Sequence, residues 1–244
     1  MIRTVIHLRG TNEPLDVHGI SLSYLYRLDP NRFRIVTPNY PADYGLRKSF
    51  AESNAAGRAK VLELIRSIEG PIILSGYSQG AYIMGDLARD IAMSQFDDIL
   101  PSRIEAVTLL ADPKRPEGEG IPPYPGGYGI AGQRDIPDIP VFWATASRDP
   151  ISALAADNPL RSAADLTAAF TLSPLGWDEW AADMLAKLAH RQLQPWWMFW
   201  LRPGRWGAAI DALNGYLFQG RHTDDYIREG VCARLAAAVN EAVS

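Results

Sequence analysis

The chain has 244 residues, 47% of them apolar and 21% charged, and carries 24 basic against 28 acidic side chains for a net charge of −4. That composition excludes a disordered chain, a collagen-like repeat and a coiled coil, and the charge balance offers no basic stripe for nucleic acid. A single cysteine, Cys232, excludes an intramolecular disulfide and a cysteine-rich zinc site.

Read from the start, Thr4–Leu8 forms a short β-rich run that closes at Gly10. No basic stretch and apolar core with a cleavage site precede it, so no signal peptide is expected. No apolar stretch reaches the roughly 20 residues of a membrane-spanning helix. Ser21–Leu28 suits a short helix, and Phe33–Thr37 suits a second strand ending at Pro38. Ser49-Phe50-Ala51-Glu52 has the spacing of a capping box, in which serine and glutamate satisfy each other's free backbone donors. The helix it opens places Val61, Leu62, Ile65 and Ile68 on one face and stops at Gly70. Pro71–Ser75 is a third strand, and Ala81, Met84, Leu87, Ala88 and Ile91 then recur at helical spacing. Ala106–Ala111 and Val141–Ala146 read as further strands. A closing helix over Asp224–Val243 carries Ile227, Val231, Leu235 and Val239 on one stripe.

Strands that alternate with helices must lie parallel, because each return to the starting edge needs a crossover. Their unbroken apolar runs indicate strands covered on both faces. The expected fold is an α/β-hydrolase: an open, mainly parallel sheet of about five strands flanked by helices. Residues 1–150 make its core, 151–215 a helical insertion, and 216–244 the returning part of the core. The 113–140 segment is a Pro- and Gly-rich loop, of a length that is usually functional or disordered. The insertion holds six of the seven tryptophans.

Gly76-Tyr77-Ser78-Gln79-Gly80 has the G-x-S-x-G form and falls between a strand and a helix, the context of a nucleophile elbow. A Gly-rich turn would look the same without that context. Ser78 is the candidate nucleophile, and the N–H of Gln79 the first expected oxyanion donor. A serine hydroxyl needs an adjacent base. Of the four histidines, His7 lies in a strand and suits a buried structural role, and His18 precedes Ser78. His190 sits among leucines of the insertion and stays in reserve. His222, in the loop before the last helix, is the candidate base. Asp149, just past the fifth strand, is the candidate acid in the order Ser, acid, His, with Asp112 and Asp157 as alternatives. Thr11, in the loop after the first strand, is the second candidate oxyanion donor. No histidine has metal-ligand spacing such as H-E-x-x-H, and no cofactor is expected.

Several blocks resemble the cutinase-related serine esterases. Arg9-Gly10-Thr11-Asn12-Glu13-Pro14, Asn39-Tyr40-Pro41-Ala42 and Gly76–Ala81 are similar to that group's blocks. A closer resemblance is to the Lysin B family, mycolylarabinogalactan esterases of phages that infect mycobacteria and related actinobacteria. It rests on Ala111-Asp112-Pro113-Lys114-Arg115-Pro116-Glu117-Gly118, on Gly127–Gly132, on 202–213, and on His222 with Tyr226. The resemblance implies Ser78, Asp149 and His222 as the catalytic triad, with the backbone of Gln79 and the Thr11 loop as the oxyanion hole. It implies hydrolysis of the ester between mycolic acid and arabinogalactan during phage lysis, by an enzyme made in the host cytoplasm and acting on the envelope. That family's optional N-terminal peptidoglycan-binding extension is not expected here. Trp196, Trp197 and Trp200 in the insertion suit a substrate-binding role at a peripheral lipid contact, since such rings favour membrane interfaces. Packing of the insertion onto the core would use the same rings.

Overall fold

In a computed structural model, residues 2–14, 19–161 and 205–243 are described. Five parallel strands form one sheet: β1 (Arg3–Leu8), β2 (Phe33–Val36), β3 (Ile72–Tyr77), β4 (Ile104–Leu110) and β5 (Val141–Ala144), in the order β2-β1-β3-β4-β5. The expected open parallel sheet is what forms. The chain runs from β1 out to β2, then returns to the other side of β1 as β3. The crevice at the carboxyl ends of β1 and β3 is therefore the switch point at which such sheets bind ligands.

Successive strand residues point to opposite faces, and both faces are covered. On one side Ile6, Leu8, Ile72, Leu74, Val107 and Leu109 pack against Val61 and Ile65 of α2 (Phe50–Ser67) and against Met84, Leu87 and Ile91 of α3 (Gln79–Ala92). On the other, Val5, Ile73, Ala106, Leu110 and Ala144 meet Tyr24 and Leu25 of α1 (Ile20–Leu25). This double cover is why the strands read as unbroken apolar runs.

The capping box at Ser49 forms: the Glu52 N–H donates to Ser49 Oγ at 3.1 Å, and the Ser49 N–H donates to Glu52 Oε2 at 2.8 Å. Towards the C-terminus come α4 (Arg205–Phe218), α5 (Asp224–Arg228) and α6 (Val231–Ala242). The single closing helix expected from the sequence is two helices. Gly230, in the left-handed region at φ +68°, ends one and begins the next. Ile227 accordingly leaves the buried stripe of Val231, Leu235 and Val239 and is 50% exposed.

The long loop after β4 is fastened by buried arginines. Arg115 donates to the carbonyls of Ser152, Pro116, Glu119, Gly126 and Gly127. Arg134 bridges Asp86 of α3 and Asp112, at 3.0 and 2.5 Å. Arg161 donates to the carbonyls of Tyr128, Gly129 and Leu154, joining this loop to the segment after β5. Most of the insertion, with His190, Trp196, Trp197 and Trp200, lies outside the described residues, as does His18. Among the described residues no helix is long and apolar enough to cross a membrane.

Candidate active site

Ser78 sits between the last residue of β3 and the first of α3 with φ 53° and ψ −112°, backbone that a side chain rarely adopts. Such a conformation costs about 1–3 kcal/mol and persists only where surroundings enforce it. Here two close approaches enforce it. A Cβ on Gly76 would lie 2.3 Å from the carbonyl carbon of Gly80, and a Cβ on Gly80 would lie 2.0 Å from the carbonyl oxygen of Leu8. Only glycine fits either position, which is the physical content of the G-x-S-x-G spacing.

His222 occupies the turn between α4 and α5. Its neighbour Arg221 anchors that turn by pairing with Asp211 of α4 at 2.7 and 3.0 Å. The structure brings His222 Nε2 to 2.7 Å from Ser78 Oγ, and His222 Nδ1 to 3.0 Å from Asp149 Oδ1. An ionised carboxylate only accepts, so Nδ1 carries the proton and Nε2 is left to accept from the serine hydroxyl. The three candidates thus form one directional chain, drawn from residues separated by 144 and 73 positions.

Asp149 is fully buried. Its Oδ1 also accepts from the Ile151 N–H at 2.9 Å, and its Oδ2 accepts from Ser152 Oγ at 2.7 Å and Tyr226 Oη at 2.6 Å. Burial works to raise its carboxyl, but the charge and hydrogen bond of His222, with the hydroxyls of Tyr226 and Ser152, outweigh it and hold the group below the usual carboxylate range. Burial and the Asp149 charge push the Tyr226 phenol well above its ordinary value, so it remains a donor.

On the other side of Ser78, Gly10 brings the loop after β1 against the elbow. A Cβ there would lie 2.7 Å from the Tyr77 ring and 3.3 Å from Ser78 Cβ. Thr11 Oγ1 donates to Gln79 Oε1 at 3.0 Å, and Gln79 Nε2 donates to Asn54 Oδ1 at 2.9 Å and to the Asp43 carbonyl at 3.2 Å. The loop is tied further by Glu13, whose carboxylate accepts from the Gly10 N–H at 3.0 Å and from Ser21. Gln79 opens α3, where main-chain N–H groups have no intrahelical partner and the helix dipole is positive. The arrangement offers a nucleophile, a base and donors for a developing oxyanion around one point.

The remaining candidates lie elsewhere. Asp112 is committed to Arg134, to Trp143 Nε1 at 3.0 Å and to the Lys114 N–H, while the imidazole Nδ1 is taken by Asp149 rather than by Asp112 or Asp157. His7 is buried between Ser75 Oγ and Ser21 Oγ at 2.7 and 2.8 Å, and burial lowers its imidazole to about 3. It is a neutral structural histidine. Among the described residues no group of His, Cys, Asp and Glu could hold a metal ion.

Some contacts were not read from the sequence. Tyr77 stacks on His222 with centroids 5.5 Å apart and donates to its carbonyl, and Tyr216 of α4 lays a second ring 5.5 Å away. Ser152, three residues past Asp149, supports it as a local turn hydroxyl. The position of Tyr226 one helical turn after His222 was the available clue to its place beside the acid. The α4 surface near the site exposes Trp206, Ile210, Leu213 and Leu217 at helical spacing.

Solved structures similar to this chain include these three. Lysin B from Mycobacteriophage D29 is 18% identical, with 88% of this chain and 89% of that one covered at a TM-score of 0.57. A cutinase-like protein from Cryptococcus sp. is 20% identical, covering 79% and 95% at 0.47. The catalytic core of acetyl xylan esterase from Trichoderma reesei is 19% identical, covering 78% and 97% at 0.47. No curated protein matches the sequence. Residues 17–243 match the alpha/beta hydrolase family, and the chain belongs to that family.

Proposed function

We propose that the chain is a serine esterase acting through Ser78, His222 and Asp149. One observation carries this reading: the unbroken hydrogen-bonded chain from Ser78 Oγ through the imidazole to a buried carboxylate, at 2.7 and 3.0 Å. Ser78 Oγ attacks the ester carbonyl while His222 Nε2 takes its proton. The tetrahedral oxyanion is held by the main-chain N–H groups of Gln79 and Thr11, and one such donor is worth about 2.7–4 kcal/mol of barrier. Collapse expels the alcohol, which takes the proton back from His222, and leaves an acyl group on Ser78. Water then gives a proton to the same imidazole and attacks the acyl carbon; the bond to Ser78 Oγ breaks, Ser78 takes the proton back from His222, and the carboxylic acid is released.

For the substrate we propose the ester joining mycolic acid to arabinogalactan, cleaved at the envelope during phage lysis after synthesis in the host cytoplasm. The sequence blocks quoted above support this choice, with Trp196, Trp197 and Trp200 as lipid-contacting residues. The test is incubation with mycolylarabinogalactan–peptidoglycan and mass analysis of released lipid, with Ser78→Ala as control. Release of free mycolic acid that the control lacks is the expected result. Turnover of short soluble esters without such release would keep the esterase and move it to another acyl substrate. Mycolate appearing on an added sugar instead of as free acid would make the chain a transferase.

A further inference from the structure

Two buried opposite charges lie close to the site without touching. The Arg115 side chain is wholly buried. Its five N–H donors go to main-chain carbonyls: Nε to Ser152 at 2.7 Å, Nη1 to Pro116 and Glu119 at 3.1 and 2.6 Å, and Nη2 to Gly126 and Gly127 at 3.2 and 2.7 Å. Among the described residues no carboxylate contacts it. Asp149 is buried as completely, and its contacts are the His222 imidazole, two hydroxyls and a peptide N–H. A buried ion is expensive, and the Arg115 guanidinium, bonded only to carbonyls, has the Asp149 carboxylate among the negative charges that face it. Ser152 serves both: its carbonyl accepts from the guanidinium while its hydroxyl donates to the carboxylate.

Resting on the assignment of Asp149 as the triad acid, we propose that Arg115 is a positioning residue for it, a countercharge set one residue away that keeps the carboxylate ionised and aimed at His222. Distance is the point of the arrangement. A guanidinium in direct contact would take both carboxylate oxygens in a fork and turn them from the imidazole. Held through Ser152, it supplies field and leaves Oδ1 and Oδ2 to His222, Tyr226 and the local turn. This gives a purpose to the arginine of the Asp112–Gly118 block, which the esterase chemistry by itself does not use.

The other charges nearby do not replace it. Arg115 is faced by Tyr226, Asp112, Asp149 and Glu117. Asp112 is already neutralised by Arg134, and Glu117 is exposed. Asp149 is faced by His222, Tyr226, Tyr77 and Tyr216, with Arg148 beside it exposed to solvent.

The experiment is the pH profile of kcat/KM on a soluble short-chain p-nitrophenyl ester for wild type, Arg115→Gln, Arg115→Lys and Ser152→Ala. Arg115→Gln removes a positive charge that opposes protonation of the imidazole, so its acidic limb should move up by about one pH unit, with kcat down about tenfold. Arg115→Lys keeps the charge and should leave the limb in place. Ser152→Ala should lower kcat with KM unchanged. A folded Arg115→Gln enzyme with an unmoved limb, or Gln and Lys variants shifted alike, would overturn the proposal. Should Arg115→Gln not fold, Arg115→Met, which keeps the stem and likewise lacks the charge, takes its place: a limb moved up supports the countercharge, and an unmoved limb in folded protein refutes it. Labelling wild-type Ser78 with a fluorophosphonate separates the two failures. Labelled serine with an unmoved limb removes only the Arg115 role, whereas no labelling removes the serine esterase and this inference with it.

Discussion

Tyr77 Oη donates to the main-chain carbonyl of His222 at 2.6 Å, so the residue before the elbow serine holds the turn that carries the imidazole. Tyr77→Phe keeps the stacked ring and removes only this bond. It leaves a buried carbonyl without its partner, at a cost of about 1–2 kcal/mol. Stability should fall by that amount, and kcat on a soluble ester by about 5–30-fold, the same energy expressed as a rate. Urea unfolding and steady-state kinetics check it. Unchanged kcat in a destabilised variant would mean that the Arg221–Asp211 pair alone fixes the turn.

Thr11 is joined to Gln79 through side chains, and this bond ties the loop after β1 to the start of α3, the two segments proposed to hold the oxyanion. Thr11→Val retains the shape and deletes the hydroxyl. A neutral hydrogen bond is worth about 1 kcal/mol net, so kcat should drop about fivefold with KM little changed. Thr11→Ser should restore most of the loss. Equal loss in the serine variant would point to the methyl group instead.

His7 gives the fold an acid-sensitive term. Its buried imidazole accepts a proton only near pH 3 in the native state, whereas the unfolded chain accepts one below about 6.5. Between those values the unfolded state binds more protons, so stability present at neutral pH is lost as pH falls, at up to about 1.4 kcal/mol per pH unit. His7→Gln should be less stable at pH 7 yet show a shallower decline toward pH 4. Urea midpoints at several pH values measure this, and parallel curves for the two proteins would clear His7 of the effect.

Gly85 makes room for Arg134. A Cβ there would lie 1.8 Å from Arg134 Nη2, which is held by Asp112, while Nη1 is held by Asp86. Gly85→Ala must therefore displace a guanidinium that two carboxylates fix. Breaking a buried pair costs about 3–5 kcal/mol. A thermal unfolding scan should show a large loss, and an alanine variant as stable as wild type would mean that Arg134 has a second resting place.

The inner strands β3 and β4 were legible because they are buried along nearly their whole length, and the elbow because Gly76 and Gly80 are demanded by contacts under 2.5 Å. The order of Ser78, Asp149 and His222 along the chain was equally plain, and the structure brings those three side chains together. The break at Gly230 was visible as a glycine but was outweighed by the periodicity on either side of it. Arg115 left no trace of its partners, because main-chain carbonyls have no sequence. Tyr77 gave no sign either, since its hydroxyl reaches a residue 145 positions away.

Arg115 reads backbone oxygens and nothing else, so the side chains at Pro116, Glu119 and Gly126 carry no part of its recognition. Those positions are open to mutational drift, as is the outward-facing Tyr124 beyond them. One loop can thus diversify at its outer surface, exploring new molecular company, while its buried arginine keeps its hold on the same carbonyls.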